Sequence, residues 1–184
     1  KDLKALQEGL VELLEAGRLL KQASVNFKLQ IVGDGPELQN IRERIAELGL
    51  ENRVQLLGFQ DGRELQELYL KADIFTLQSW SEGFPTVVAE AMYHGLPVVT
   101  TAIRGMAEHL VDNIHAIFVP VQNAQKLANS LARLIQDDVL RARMQKANLS
   151  KVEQFAPQNV AERFLRALLS TTSRGGVQAE SNSQ

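Results

Sequence analysis

Short apolar runs separated by single amphipathic helices, most of them ending at a glycine, constrain this chain more than any other feature. Residues 27–32 alternate apolar and polar side chains, close on two apolar ones, and meet the turn Gly33-Asp34-Gly35-Pro36. A helix with Leu38, Ile41, Ile45 and Leu48 on one side follows and stops at Gly49. Residues 53–57 repeat the strand pattern, turn at residues 58–62, and lead to a helix carrying Leu65, Leu68 and Ala72. Residues 74–78 and 97–100 read as further strands, and residues 117–119 as an edge strand closed by Pro120. Strands joined by single helices take right-handed crossovers and pair in parallel, with helices on both faces. The predicted class is therefore α/β.

The two ends of the chain differ from this middle. Leu3, Leu6, Leu10, Leu13 and Leu14 place one apolar face on a helix over residues 2–22. In an α/β domain such a helix follows a strand, so a strand is expected before Lys1, and the chain reads as part of a longer protein. After Pro120 only helices are expected, over residues 124–135, 139–155 and 158–169, with Pro157 as a break. Residues 170–184 are small and polar, and are expected to form a disordered tail outside a single domain spanning residues 1–169.

Composition narrows the partners. A length of 184 residues with 45% hydrophobic content suits one core, and a net charge of −2 argues against a nucleic-acid surface. The chain has no cysteine, and His94, His109 and His115 lack ligand spacing, so no metal site is expected. No run approaches the roughly 18 apolar residues of a membrane span, and the start of the chain does not read as a signal peptide. A cytoplasmic setting is expected.

One stretch, SWSEGFPTVVAEAMYHGLPVVT from Ser79 to Thr100, gathers the chemistry. Pro85 suits the first position of a helix that runs from about Thr86 to Gly95. A loop thus delivers a helix N-terminus to the end of a strand, where free N–H groups and a partial positive charge favour a phosphate. Glu82 and Glu90 bracket that end. For Glu90, on an otherwise apolar helix, two roles stand open: a partner in a buried polar network, or an acceptor for a vicinal diol. A diol gives one carboxylate two hydrogen bonds, worth roughly 1.5–3 kcal/mol each. Ligands of parallel sheets bind beyond the carboxyl ends of the strands. Gly33, Gly35, Gly58, Gly83 and Gly105 all fall in turns at that rim; singly, each also fits ordinary loop punctuation.

Ser81-Glu82-Gly83-Phe84-Pro85 through Glu90-Ala91-Met92, backed by Gly95-Leu96-Pro97-Val98-Val99, resembles the two-glutamate signature of the retaining GT-B glycosyltransferases of group 1. The resemblance extends to Ile31-Val32-Gly33-Asp34-Gly35-Pro36, to Val54-Gln55-Leu56-Leu57-Gly58-Phe59 and to Gly105-Met106-Ala107-Glu108, covering roughly residues 1–164. It implies a Rossmann-like parallel sheet with helices on both faces, the C-terminal, donor-binding half of the enzyme. It further implies transfer of a sugar from a UDP-, GDP- or ADP-linked donor with retention of anomeric configuration and without a bound metal or other cofactor.

Residue by residue, the resemblance gives Glu82 the hydroxyls of the transferred sugar and the catalytic role, and Glu90 the ribose. Gly83, Phe84, Pro85, Thr86 and Val87 would face the sugar and diphosphate, together with Gly105 and Met106; Gly33, Gly58, Phe59 and Gln60 would meet the nucleobase. An arginine and a lysine that stabilise the leaving diphosphate fall before Lys1, and neither Lys1 nor Lys4 is assigned that role. The acceptor-binding half also lies outside the chain, and with it any peripheral membrane contact. The isolated chain is accordingly expected to be inactive. Arg104 and Ala116 stand where the family often has glycine. Glu108 matches a family glutamate and, near a helix start, would complement the dipole. Trp80 is expected to pack in the core. Two other readings remain open from sequence: a nucleotide-sugar epimerase of related build, and a non-catalytic sugar-nucleotide-binding module.

Overall fold

A computed structural model of the chain describes residues 3–80 and 84–153. In chain order the elements are α1 (Leu3–Gln22), β1 (Leu29–Val32), α2 (Leu38–Glu47), β2 (Val54–Gly58), α3 (Gly62–Lys71), β3 (Phe75–Leu77), α4 (Thr86–Tyr93), β4 (Val98–Thr101), α5 (Arg104–His109), β5 (Ala116–Val119), α6 (Ala124–Gln136) and α7 (Asp138–Glu153).

Every ladder is parallel, as single-helix crossovers require. Leu29 of β1 lies opposite Val54 of β2, and Val98 of β4 lies opposite both Phe75 of β3 and Ala116 of β5. Among the described residues the sheet is present in two hydrogen-bonded parts, β1-β2 and β3-β4-β5, so β1 and β3 each pair there along one edge only. β4, flanked on both sides, is buried along its whole length, whereas β1 and β3 are only half covered. Interior strands of parallel sheets are normally dry on both faces.

Alternation along β4 and β5 divides the core. Val99, Ile117 and Val119 pack with Leu13, Ala16 and Leu20 of α1 and with Leu127, Leu131 and Leu134 of α6. Val98 and Ala116 face the other way, onto Val88 and Met92 of α4 and onto Met106 and Leu110. Leu127 and Leu134 are 0% exposed, and full burial of such a side chain contributes roughly 1.5–3 kcal/mol relative to exposure. Ile41 and Ile45 of α2 close a third cluster with Leu14, Leu50 and Val54.

Two sequence expectations need correction. Residues 104–109 form the short helix α5 where a turn was expected, since six residues are too few to show helical periodicity. Glu108 therefore sits in the last turn of α5, not at a helix start, and does not complement the dipole there. The strand before Lys1, the helix over residues 158–169 and the polar tail lie outside the described residues. Among the described residues no helix is long and apolar enough to cross a membrane.

Candidate functional site

The carboxyl ends of β1 and β2 come together through glycine. Gly33 donates its N–H to the Gly58 carbonyl at 2.8 Å, joining the turn after β1 to the last residue of β2. Gly58 has φ +68, a conformation that side chains rarely adopt, and a Cβ at Gly33, Gly35 or Gly58 would meet nothing within 4 Å. Space beside this rim is therefore open. Phe59, immediately beyond, leaves 70% of its surface uncovered. Gln60 folds back, its Nε2 donating to the Leu57 carbonyl at 2.8 Å.

At the end of β3 the chain is fastened to β4 before it enters the loop. Thr100 Oγ1 donates to the Leu77 carbonyl at 2.8 Å, and Thr101 Oγ1 donates to the Ser79 carbonyl. All three of Ser79, Thr100 and Thr101 are buried. Their hydroxyl and amide pairing lets a polar strand end sit in the interior. Trp80 is half-buried and not a core residue. Its Nε1 is buried without an acceptor among the described residues. Glu82 and Gly83 lie outside the described residues.

α4 then begins at Thr86, with Pro85 as its N-cap at φ −66 and ψ 134. Val88 N–H is taken by the Pro85 carbonyl at 3.1 Å. The N–H groups of Thr86 and Val87 precede the first intrahelical bond, and among the described residues no packing buries either of the two. Phe84 packs against the Val88 and Met92 cluster and meets His109 edge-on at 5.6 Å. The helix ends sharply because Gly95 takes φ +75, allowing Leu96 N–H to reach the Ala91 carbonyl at 3.0 Å and Gly95 N–H the Met92 carbonyl at 2.9 Å.

Glu90 projects from the exposed side of this helix. Its Oε2 accepts the Tyr69 hydroxyl at 3.1 Å, while Tyr69 itself is only 8% exposed. Burial, the Glu90 charge and the hydrogen bond to it push the Tyr69 phenol well above the ordinary tyrosine value, so it stays a donor. His94 stacks on Tyr69, centroids 5.0 Å apart, and lies with its Nδ1 2.8 Å from the Glu90 carbonyl. A carbonyl only accepts, so Nδ1 carries the proton. Neither Tyr69 nor His94 was among the sequence candidates. The Leu65, Tyr69, Ala72 spacing puts Tyr69 on the packed face of α3, a signal that counting only Leu65, Leu68 and Ala72 passes over.

Gly105 and Met106 are not in a turn but within α5. Met106 is 0% exposed in the core; its N–H goes to the Ile103 carbonyl at 3.0 Å and its carbonyl to Leu110 N–H at 2.9 Å. Gly105, beside it, is partly exposed.

Comparison with known proteins agrees with this architecture. Residues 5–151 match the family model described as glycosyl transferases, group 1. An amylovoran biosynthesis glycosyltransferase of Erwinia amylovora is 35% identical over 169 residues, covering 89% of this chain and 42% of the relative. A putative colanic acid biosynthesis glycosyltransferase of Escherichia coli is 35% identical over 170 residues, again 89% of this chain and 42% of the relative. The chain thus spans 42% of the length of these curated relatives. Among solved structures, HepE of Anabaena in complex with UDP superposes with a TM-score of 0.75 at 26% identity, over 86% of this chain and 44% of that one. The C-terminal domain of a group 1 glycosyl transferase of Francisella tularensis shares the fold, with a TM-score of 0.72 at 24% identity over 80% of this chain and 78% of that one. On the match across residues 5–151, the chain belongs to the group 1 glycosyltransferase family.

Proposed function

We propose that this chain is the donor-binding part of a cytoplasmic glycosyltransferase that takes a sugar from a nucleotide diphosphate donor, with retention at the anomeric carbon and no bound metal. The observation that carries the reading is the start of α4: the exposed first residues Thr86 and Val87, with the exposed Glu90 four residues beyond Thr86. In this reading the diphosphate takes the backbone N–H groups of Thr86 and Val87, where growing negative charge on the leaving group is stabilised. Glu90 accepts the ribose hydroxyls, and Glu82 with Gly83 contacts the transferred sugar. Phe84, Pro85, Gly105 and Met106 line the approach. Gly33, Gly58, Phe59 and Gln60 form the side nearest the base, where the open rim and uncovered Phe59 ring support the assignment. That HepE was solved with UDP and with UDP-glucose supports a nucleotide sugar as the ligand class.

The reading also holds that the chain works within a longer protein that supplies an acceptor-binding half, and that alone it turns nothing over. The single-edged pairing of β1 and β3, both half covered where parallel strands are normally dry, supports one further strand in the sheet. Calorimetric or NMR titration with UDP, GDP and ADP tests the site. One nucleotide is expected to bind, and Glu90→Gln is expected to weaken it about tenfold, the low end for a hydrogen bond to an ionised group. Unchanged affinity in Glu90→Gln would remove Glu90 from the site.

A further inference from the structure

Given that Glu90 holds the ribose, we propose that Tyr69 is a positioning residue for donor binding, whose hydroxyl presets the Glu90 carboxylate to receive two vicinal hydroxyls. A glutamate on an exposed helix face has several rotatable bonds, and a diol that needs both oxygens in place must first stop that motion. Tyr69 supplies a fixed point. Its ring is wedged among Leu65, Ala72, Ala91 and Leu96, and one face is stacked on His94. His94 is itself tied to α4 through the Glu90 carbonyl. The phenol oxygen lies nearer Glu90 Oε2, at 3.1 Å, than the Val87 carbonyl oxygen, at 3.5 Å.

This one bond leaves the carboxylate capacity to spare. An ionised carboxylate offers about four lone-pair sites, and Tyr69 occupies one of them from the buried side. The others remain on the exposed side of α4. The arrangement is the preorganisation that lets a binding group act without first being ordered.

The test separates positioning from simple packing by removing the diol from the ligand. UDP and 2′,3′-dideoxy-UDP are titrated by NMR into the 184-residue chain and into Tyr69→Phe, Glu90→Gln, His94→Ala and the Tyr69→Phe/Glu90→Gln double variant. Tyr69→Phe keeps the ring, and thermal unfolding checks its fold; His94→Ala loosens the same ring from the other side if that variant is unstable. Tyr69→Phe is expected to weaken UDP about fivefold while leaving the dideoxy compound unchanged, and to add little on top of Glu90→Gln. His94→Ala should move the same way by less. If Glu90→Gln is selective for the diol but Tyr69→Phe weakens both nucleotides equally, or neither, Tyr69 is only a packing residue and the ribose reading survives. Where GDP or ADP binds in place of UDP, that nucleotide and its dideoxy form are used; if Glu90→Gln shows no diol selectivity, or the chain binds none of UDP, GDP and ADP, the ribose reading falls and the positioning role with it.

Discussion

Glu12 and Gln122 lie 110 positions apart and meet at 2.9 Å, the Glu12 carboxylate accepting the Gln122 backbone N–H. Its other oxygen accepts Asn123 N–H at 3.0 Å. Gln122 has φ 56, an uncommon conformation for a residue with a side chain, and Asn123 caps α6 by accepting Lys126 N–H. A buried carboxylate on α1 thus holds the strained entry to α6 in place.

Replacing Glu12 tests that clamp. Glu12→Gln keeps one acceptor but turns an NH₂ group toward the other amide, and is expected to lose about 2 kcal/mol. Glu12→Leu leaves both part-buried amides without this acceptor and is expected to lose about 3 kcal/mol. Urea unfolding measures both, and equal stability of Glu12→Leu and the unaltered protein would rule the clamp out.

Two glycines within α1 are predicted to respond oppositely to alanine. In a helix interior the change gains about 1 kcal/mol from propensity alone. At Gly9, however, an added Cβ would lie 2.1 Å from the Gln78 carbonyl oxygen, a backbone atom that cannot swing aside. Overpacking of this kind costs about 1–3 kcal/mol, so Gly9→Ala should lower Tm despite the propensity gain. At Gly17 the nearest atoms are Leu50 Cδ1 at 3.5 Å and Phe27 Cζ at 3.6 Å, ordinary contacts. Gly17→Ala should therefore leave Tm unchanged or raise it, and calorimetric scans of the pair decide the matter.

The Gly9 contact also shows what the sequence could and could not disclose. Leucine spacing announces α1, and Gly49 and Gly95, at φ +64 and +75, end α2 and α4 where glycine was read as a stop. Those features are local, so they leave a periodic or compositional trace. The start of α4 at Thr86 was legible for the same reason, through Pro85 directly before it. Glu12 with Gln122, Tyr69 with Glu90 and Asn148 with Leu96 are separated by 110, 21 and 52 positions, and no periodicity records such pairings. The division of the sheet was hidden likewise, because strand patterns reveal which segments are strands and not which edges meet.

Asn148 of α7 is 0% exposed and donates through Nδ2 to the Leu96 carbonyl at 2.8 Å and the His115 carbonyl at 3.0 Å. It joins the segments that lead into β4 and β5. Asn148→Leu leaves two carbonyls without a donor, and a loss of about 2 kcal/mol is expected. Asn148→Asp instead sets a buried negative charge against two carbonyl oxygens, and about 3 kcal/mol or more should be lost at neutral pH. Acidification protonates that aspartate and returns a donor, so the gap between the two variants should narrow as pH falls. A gap that widens on acidification in urea titrations would contradict this placement.

His115 is expected to give the fold a pH dependence of its own. Its Nδ1 accepts Val111 N–H at 3.0 Å, which requires a free lone pair and so the neutral ring. Burial, and then the positive charge of Lys151, hold its pKa below the usual histidine value of 6.5. The unfolded chain thus binds the proton more readily than the folded one. Stability is full above about pH 6.5 and is lost as pH falls through the window between the unfolded and the lowered folded value. Partial exposure of the ring screens the effect and keeps it modest. His115→Asn offers an oxygen to Val111 without titrating, and its urea midpoint should fall less than that of the unaltered protein between about pH 7 and pH 5. Lys151→Gln removes the second cause and should flatten the same slope in part. Parallel midpoint curves for all three proteins would mean that protonation of His115 is not coupled to folding.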